Sequence, residues 1–169
     1  DYIYEQIAAV LRQGDINYVK WDMNRSLCDI YSGSMVWQGN VMYDYMLGVY
    51  DLLERLTQAF PDMLWEGCSG GGGRFDMGML YYTPQIWCSD NTDAVDRIRI
   101  QYGTSFAYPL STMGAHVSAV PNHQTGRVTD MNTRGVVAMT GAFGYELDLG
   151  KLSEEDKTAV REQIKTYHE

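Results

Sequence analysis

Residues 18–26 read YVKWDMNRS: an apolar, aromatic-rich run that carries a lysine and ends on an acid. Side chains on a strand alternate, so Tyr18, Lys20 and Asp22 share one face, and Val19 and Trp21 the other. A lysine and an aspartate on one face of an otherwise buried strand must pair or take part in chemistry, because an unpaired buried charge is costly. A structural ion pair is the plainer explanation. Whether chemistry is the better one depends on how the neighbouring elements end.

Working outward, DYIYEQIAAVLRQG (1–14) puts Ile3, Ile7, Val10 and Leu11 at helical spacing, with Gly14 as a stop. VMYDYMLGVYDLLERLTQAF (41–60) is a long helical pattern closed by Pro61, and MLWEG (63–67) is the next strand. GGGGRFDMGMLYY (70–82) reads as a turn entering a short helix, QIWCS (85–89) as a strand, and AVDRIRIQYGTSF (94–106) as a helix. GAHVSAV (114–120) and FGYELDL (143–149) are further strands, separated by a helix in TDMNTRGVVAMTG (129–141). Ser153 and Asp156 form a capping pattern ahead of a last helix in KTAVREQIKTYHE (157–169). Most of the tyrosines and methionines fall in such segments and are core packing.

Helix–strand alternation repeated in this way means an α/β fold with parallel strands. An open doubly wound sheet and an eight-stranded α/β barrel both satisfy it. A complete barrel needs roughly 200 residues or more, so five strands in 169 residues amount to part of one. In a barrel, polar residues at the C-terminal ends of successive strands converge on one site. Asp22 follows the first strand, Cys68 and Ser69 the second and Asp90 the third, while His116 lies in the fourth. That succession favours the partial (β/α)8 barrel.

Composition narrows the function. The chain has the length of one ordinary domain, and 45% hydrophobic and 21% charged residues are globular values, with no run as long as a membrane span. A net charge of −9 argues against nucleic acid, whose phosphates need a basic face. The three cysteines (Cys28, Cys68, Cys88) are scattered, which points to a reducing, cytoplasmic setting rather than a disulfide scaffold. His116, His123 and the cysteines lack paired ligand spacing, so no metal is expected, and no cofactor either. The chain opens inside a helical pattern, as an excised piece of a longer protein would, and so is silent about any leader peptide.

The glycine run CSGGGG (68–73) does not fit a phosphate loop: Gly73 and Gly78 are followed by Met79, not lysine. A dinucleotide pattern would need glycine at Phe75 or Asp76. The glycines would still let a ligand approach bare backbone. Gly67-Cys68-Ser69-Gly70-Gly71 satisfies G-x-S-x-G, the nucleophile elbow of serine hydrolases, with Asp90 or Asp93 and His116 or His123 following in order. Five small residues meet that pattern easily, and it leaves Lys20, Asp22 and Trp87 without a role. A pair of carboxylates uses more of the chain. Lys20 would keep Asp22 ionised, as a nucleophile requires, and Trp87 would offer an apolar wall for a sugar and raise the pKa of a nearby acid. One charged and one protonated carboxylate is the division of labour of retaining glycoside hydrolysis.

YVKWDMNR, EGCSGGGGRFD and QIWCSDNTDAVDRIRIQYGTS together closely resemble the microbial α-galactosidases of glycoside hydrolase family 36. The resemblance runs in order over most of the chain. It implies a catalytic α/β barrel flanked by β-sandwich domains, and retaining hydrolysis of α-galactosides such as melibiose, raffinose and stachyose. It implies Asp22 as nucleophile, Asp90 as acid/base, and Lys20, Asn24, Cys68, Gly70, Gly71 and Trp87 as residues contacting galactose. Residues 1–169 would then be the C-terminal part of the barrel, strands four to eight. The family's double-aspartate motif, the earlier strands and the sandwich domains would lie outside the chain. The expected partner is an α-galactoside, not nucleic acid or a membrane, and the resemblance leaves room for a homo-oligomeric parent. A truncated piece that is inert or merely binds sugar is the alternative from a different class.

Overall fold

In the computed structural model, which describes residues Asp1–Glu169, the chain divides into two compact units. The first comprises Asp1–Ser69 and Arg74–Pro84, the second Gly70–Gly73 and Gln85–Glu169.

In the first unit, β1 (Tyr18–Asp22) pairs in parallel with β2 (Leu64–Cys68), setting Lys20 beside Glu66 and Asp22 beside Cys68. The alternation expected of β1 is present: Val19 and Trp21 are half-buried, while Tyr18, Lys20 and Asp22 are exposed. α1 (Tyr2–Leu11) and α2 (Val41–Ala59) supply the cover, packing Ile7, Leu11, Leu52 and Leu56 around Val19, Trp21 and Trp65. The buried side of α1 differs from the expected stripe. Ala8 and Leu11 are buried and Ile7 packs beside them, whereas Ile3 and Val10 are exposed. Tyr4, Ile7, Ala8 and Leu11 are the i, i+3, i+4, i+7 set that faces the strands, and Arg55 covers the Tyr4 ring at 4.1 Å. α2 stops at Ala59, two residues before Pro61, where the residue preceding a proline is driven out of the helical region. α3 (Met77–Tyr82) starts from Asp76, whose carboxylate accepts the Met79 N–H at 2.9 Å.

In the second unit, β3 (Gln85–Trp87), β4 (Met113–Ser118) and β5 (Ala142–Glu146) are parallel, with Trp87 beside Gly114, His116 beside Gly144 and Ser118 beside Glu146. The strands end two to three residues before their apolar runs do, so Cys88–Asp90 already lie in a loop. α4 (Ala94–Thr104), α5 (Met131–Ala138) and α6 (Glu154–His168) complete the unit. Ala115 and Val117 of β4 are fully buried against Met131, Ala138 and Val160, which leaves Gly114, His116 and Ser118 on the opposite face. Gln163 ties α6 down, accepting from the Tyr145 hydroxyl at 2.7 Å and donating to the Met131 carbonyl at 3.0 Å. The expected cap is there: Ser153 Oγ accepts the Asp156 N–H and donates to its carboxylate, each at 3.0 Å.

Within each unit, paired strands are consecutive in the chain and joined by helical crossovers, with no reversal of order. This α/β architecture of parallel strands is consistent with a partial barrel and lacks the order switch that marks a doubly wound sheet. No helix is long and apolar enough to cross a membrane.

Candidate active site

The first unit carries Lys20, Asp22, Asn24 and Cys68. Asp22 is the last residue of β1 and is exposed, at the strand end where barrel chemistry gathers. Beside it in register is the buried thiol of Cys68, and Asn24 stands exposed two residues on. Lys20 is a strand position away on the same face. Its ammonium lies 3.5 Å from a carboxylate oxygen of Glu66, whose side chain is 1% exposed, and the Tyr18 hydroxyl donates to the other oxygen. Glu66 is thus an ion-pair partner of Lys20 that no pattern in the chain announced. A carboxylate buried this deeply needs such partners, and it fixes where the lysine head can sit.

The loop after Asp22 is held from below. The Ser69 hydroxyl donates to the Met23 carbonyl at 2.6 Å. Arg74 donates to Ser69 Oγ, to the Met23 carbonyl and to the Arg25 carbonyl, the last at 3.0 Å. Ser69 therefore serves as a strut. The elbow also lacks its setting, which is a sharp strand-to-helix turn: β2 ends at Cys68 and α3 begins only at Met77.

The second unit carries Gly70, Gly71, Trp87 and Asp90. Asp90 is exposed three residues past the end of β3, and its Oδ1 accepts the Trp87 indole N–H at 3.1 Å. The indole itself is only 4% exposed. His116 stacks on it, with ring centroids 4.7 Å apart, and the Arg97 guanidinium lies 4.3 Å from its centroid. Trp87 is thereby a buried post that orients Asp90 rather than an open platform. Arg97, itself buried, donates to the Gly114 carbonyl at 2.8 Å and to Cys88 Sγ at 3.0 Å. Burial lowers its pKa from the usual arginine value, against the opposing pull of Cys88 and Glu146.

The glycine run meets protein backbone. Gly71 has φ +77°, and a Cβ there would fall 2.8 Å from Ser89 Cα and 3.0 Å from the Asp90 nitrogen. At Gly72 it would fall 2.7 Å from the Cys88 carbonyl oxygen. These two glycines let the Cys88–Asp90 loop lie flat against them. Behind that loop Asp93, 1% exposed, caps α4, accepts from Thr125 at 2.9 Å and pairs with Arg127. Burial pushes the Asp93 carboxyl up, but hydrogen bonds from Asp96 N–H, Thr125 and Arg127 outweigh it and hold the pKa below its ordinary 3.8. Nowhere do three or more His, Cys, Asp or Glu residues gather as a metal site would require.

Parallel strands with helical crossovers, and exposed acids at strand C-terminal ends, are the marks of the α/β-barrel enzymes. Within that class the chain belongs to the Melibiase family, whose model matches residues 1–169. It is 68% identical over 167 residues to the bifunctional alpha-galactosidase/sucrose kinase AgaSK of Mediterraneibacter gnavus, covering 99% of this chain and 17% of that protein. The crystal structure of the GH36 alpha-galactosidase AgaA from Geobacillus stearothermophilus superposes with a TM-score of 0.97 at 57% identity, covering 99% of this chain and 24% of that one. Variants of AgaA in complex with raffinose and with stachyose, 56% identical over the same shares, give TM-scores of 0.97 and 0.96. The chain spans about a fifth of the length of the curated relatives it matches.

Proposed function

We propose that this chain is part of the catalytic barrel of a retaining α-galactosidase that releases terminal α-galactosyl residues from oligosaccharides of the melibiose, raffinose and stachyose kind. Its five strands are taken as the fourth to eighth of the barrel; the small share of each relative that the chain spans supports its being a part of one. Asp22 attacks the anomeric carbon while Asp90 protonates the departing oxygen, and the bond to the leaving sugar breaks. Asp90 then removes a proton from water, which displaces Asp22 and frees galactose in the original α configuration.

The observation that carries this reading is the coincidence of a whole-chain family match with two exposed carboxylates, Asp22 ending one parallel strand and Asp90 three residues past the C-terminal end of another. The Lys20 ammonium favours a charged neighbour, and its three donors suit sugar hydroxyls. Asn24, Cys68, Gly70 and Gly71 are assigned to galactose with it. Trp87 contributes by aiming Asp90. A serine hydrolase gains no support from a Ser69 hydroxyl already committed to the Met23 carbonyl.

The test is to follow an aryl α-galactoside with the full-length enzyme by proton NMR. α-Galactose should appear first and mutarotate afterwards. β-Galactose as the first product would mean inversion, and no hydrolysis at all would refute the activity.

A further inference from the structure

Arg97 is a buried charge with no carboxylate against it. Its side chain is 2% exposed, and it belongs to none of the ion pairs around it, which join Glu146 to His116 and Arg127 to Asp93 and Asp96. Glu146 attracts it only from beyond ion-pair distance. Taking a guanidinium out of water on such terms is costly, so its contacts show what the fold gains. They fall on the three residues that lead to Asp90. Nη1 donates to Cys88 Sγ at 3.0 Å and to the Ser89 carbonyl at 3.4 Å, and the guanidinium carbon lies 4.3 Å from the centre of the Trp87 ring, within cation–π range. Nη2 anchors the head on β4 through the Gly114 carbonyl, at 2.8 Å. Pinning α4 to the sheet would need only that last bond.

The other three contacts matter for what stands at the end of the segment. The Trp87 indole N–H donates to Asp90 Oδ1 at 3.1 Å. An oxygen that already accepts an N–H is the poorer seat for the acid's own proton, so Oδ2 is the oxygen that carries it. The direction in which that proton points follows the plane of the indole, and Arg97 and the stacked His116 ring both lie against that plane. From the side of the glycine run the segment has no slack: a Cβ at Gly72 would fall 2.7 Å from the Cys88 carbonyl oxygen, and one at Gly71 2.8 Å from Ser89 Cα. The guanidinium grips the same two residues through Cys88 Sγ and the Ser89 carbonyl.

We propose that Arg97 is a positioning residue for proton transfer: it fixes the Trp87–Ser89 segment, and with it the line along which Asp90 Oδ2 meets the glycosidic oxygen. The assignment rests on the α-galactosidase reading given above. Two substrates separate it from a merely structural role. Raffinose releases a poor leaving group that needs the proton, whereas 2,4-dinitrophenyl α-galactoside releases one that does not. In the full-length enzyme, Asp90→Ala should lower the ratio of kcat/KM on raffinose to that on the aryl substrate by about 10²-fold or more, which sets the scale. Arg97→Lys keeps the charge, but an ammonium has no planar face for the indole and no second arm to hold Cys88 and Gly114 together. It should lower the same ratio by about tenfold. Cys88→Ala, which removes only the sulfur acceptor, should lower it by about threefold. A residue that only stabilises the fold would cut both substrates alike, through the folded fraction. A ratio within about twofold of the parent in both variants would therefore overturn the assignment. An unchanged ratio in Asp90→Ala would instead refute Asp90 as the acid, and a parent enzyme that cleaves neither substrate would refute the activity; either result would take this inference with it before Arg97 is compared.

Discussion

Glu66 shows how a buried charge can fix a more exposed one. The side chain is 1% exposed, yet it meets both the Lys20 ammonium and the Tyr18 hydroxyl. Replacing Lys20 by methionine keeps the apolar stem but leaves Glu66 without its cation, at a cost of about 1–2 kcal/mol after allowance for the partly exposed lysine. If Lys20 also bonds galactose, as proposed, the same change should weaken galactose inhibition by about tenfold or more. Adding Glu66→Gln separates the two effects, since a neutral amide no longer needs the cation. The double variant should recover most of the lost melting temperature and none of the lost galactose affinity. Recovery of both would make Lys20 scaffold alone. The shared face of Lys20 and Asp22 was legible in YVKWDMNRS because strand alternation is local. The Glu66 partnership was not, because it depends on the register of a strand 46 residues away.

Among the elements, the glycine run and the loop after β3 act as one piece. Gly71→Ala would force a left-handed residue to carry a Cβ and press it into the backbone of Ser89. Gly126 also has a left-handed φ, of +70°, but nothing lies within 4 Å of its missing Cβ. Both alanine variants should lose about 1–2 kcal/mol of stability from the strained conformation. Only Gly71→Ala should also displace Asp90, and so cut kcat/KM by about tenfold or more where Gly126→Ala stays within about twofold. Equal kinetic effects from the two would show that the close contact does not set the position of Asp90. The elements themselves were readable in order from local periodicity, from Pro61, and from the Ser153 cap. The face of α1 was not: Ile3 and Val10 fit the helical period but sit outside, because packing against β1 and β2 selects Tyr4, Ile7, Ala8 and Leu11. Nor was the packing of Gly71 and Gly72 against Cys88–Asp90 legible in the glycine run, because it depends on a loop some 17 residues further along the chain.

For the molecule as a whole, acid stability should depend on Asp93, which joins the loops after β3 and β4. An acid whose pKa is depressed on folding lends stability that is fully present above its unfolded value, near 3.8 here, and is lost as pH falls through the lower folded value. Asp93→Asn should therefore melt lower than the parent at pH 7, and the gap should narrow below about pH 4 as the parent's carboxylate is protonated. A gap constant down to pH 2 would show that the Asp93 charge carries none of the difference. The proposed covalent bond between Asp22 and galactose is open to substitution with chemical rescue. In the full-length enzyme Asp22→Asn should hydrolyse an aryl α-galactoside at least about 10³-fold more slowly, and added azide should restore turnover with β-galactosyl azide as product, azide having entered the face that the carboxylate vacated. Turnover undiminished in Asp22→Asn, or rescue that yields the α-azide, would contradict it.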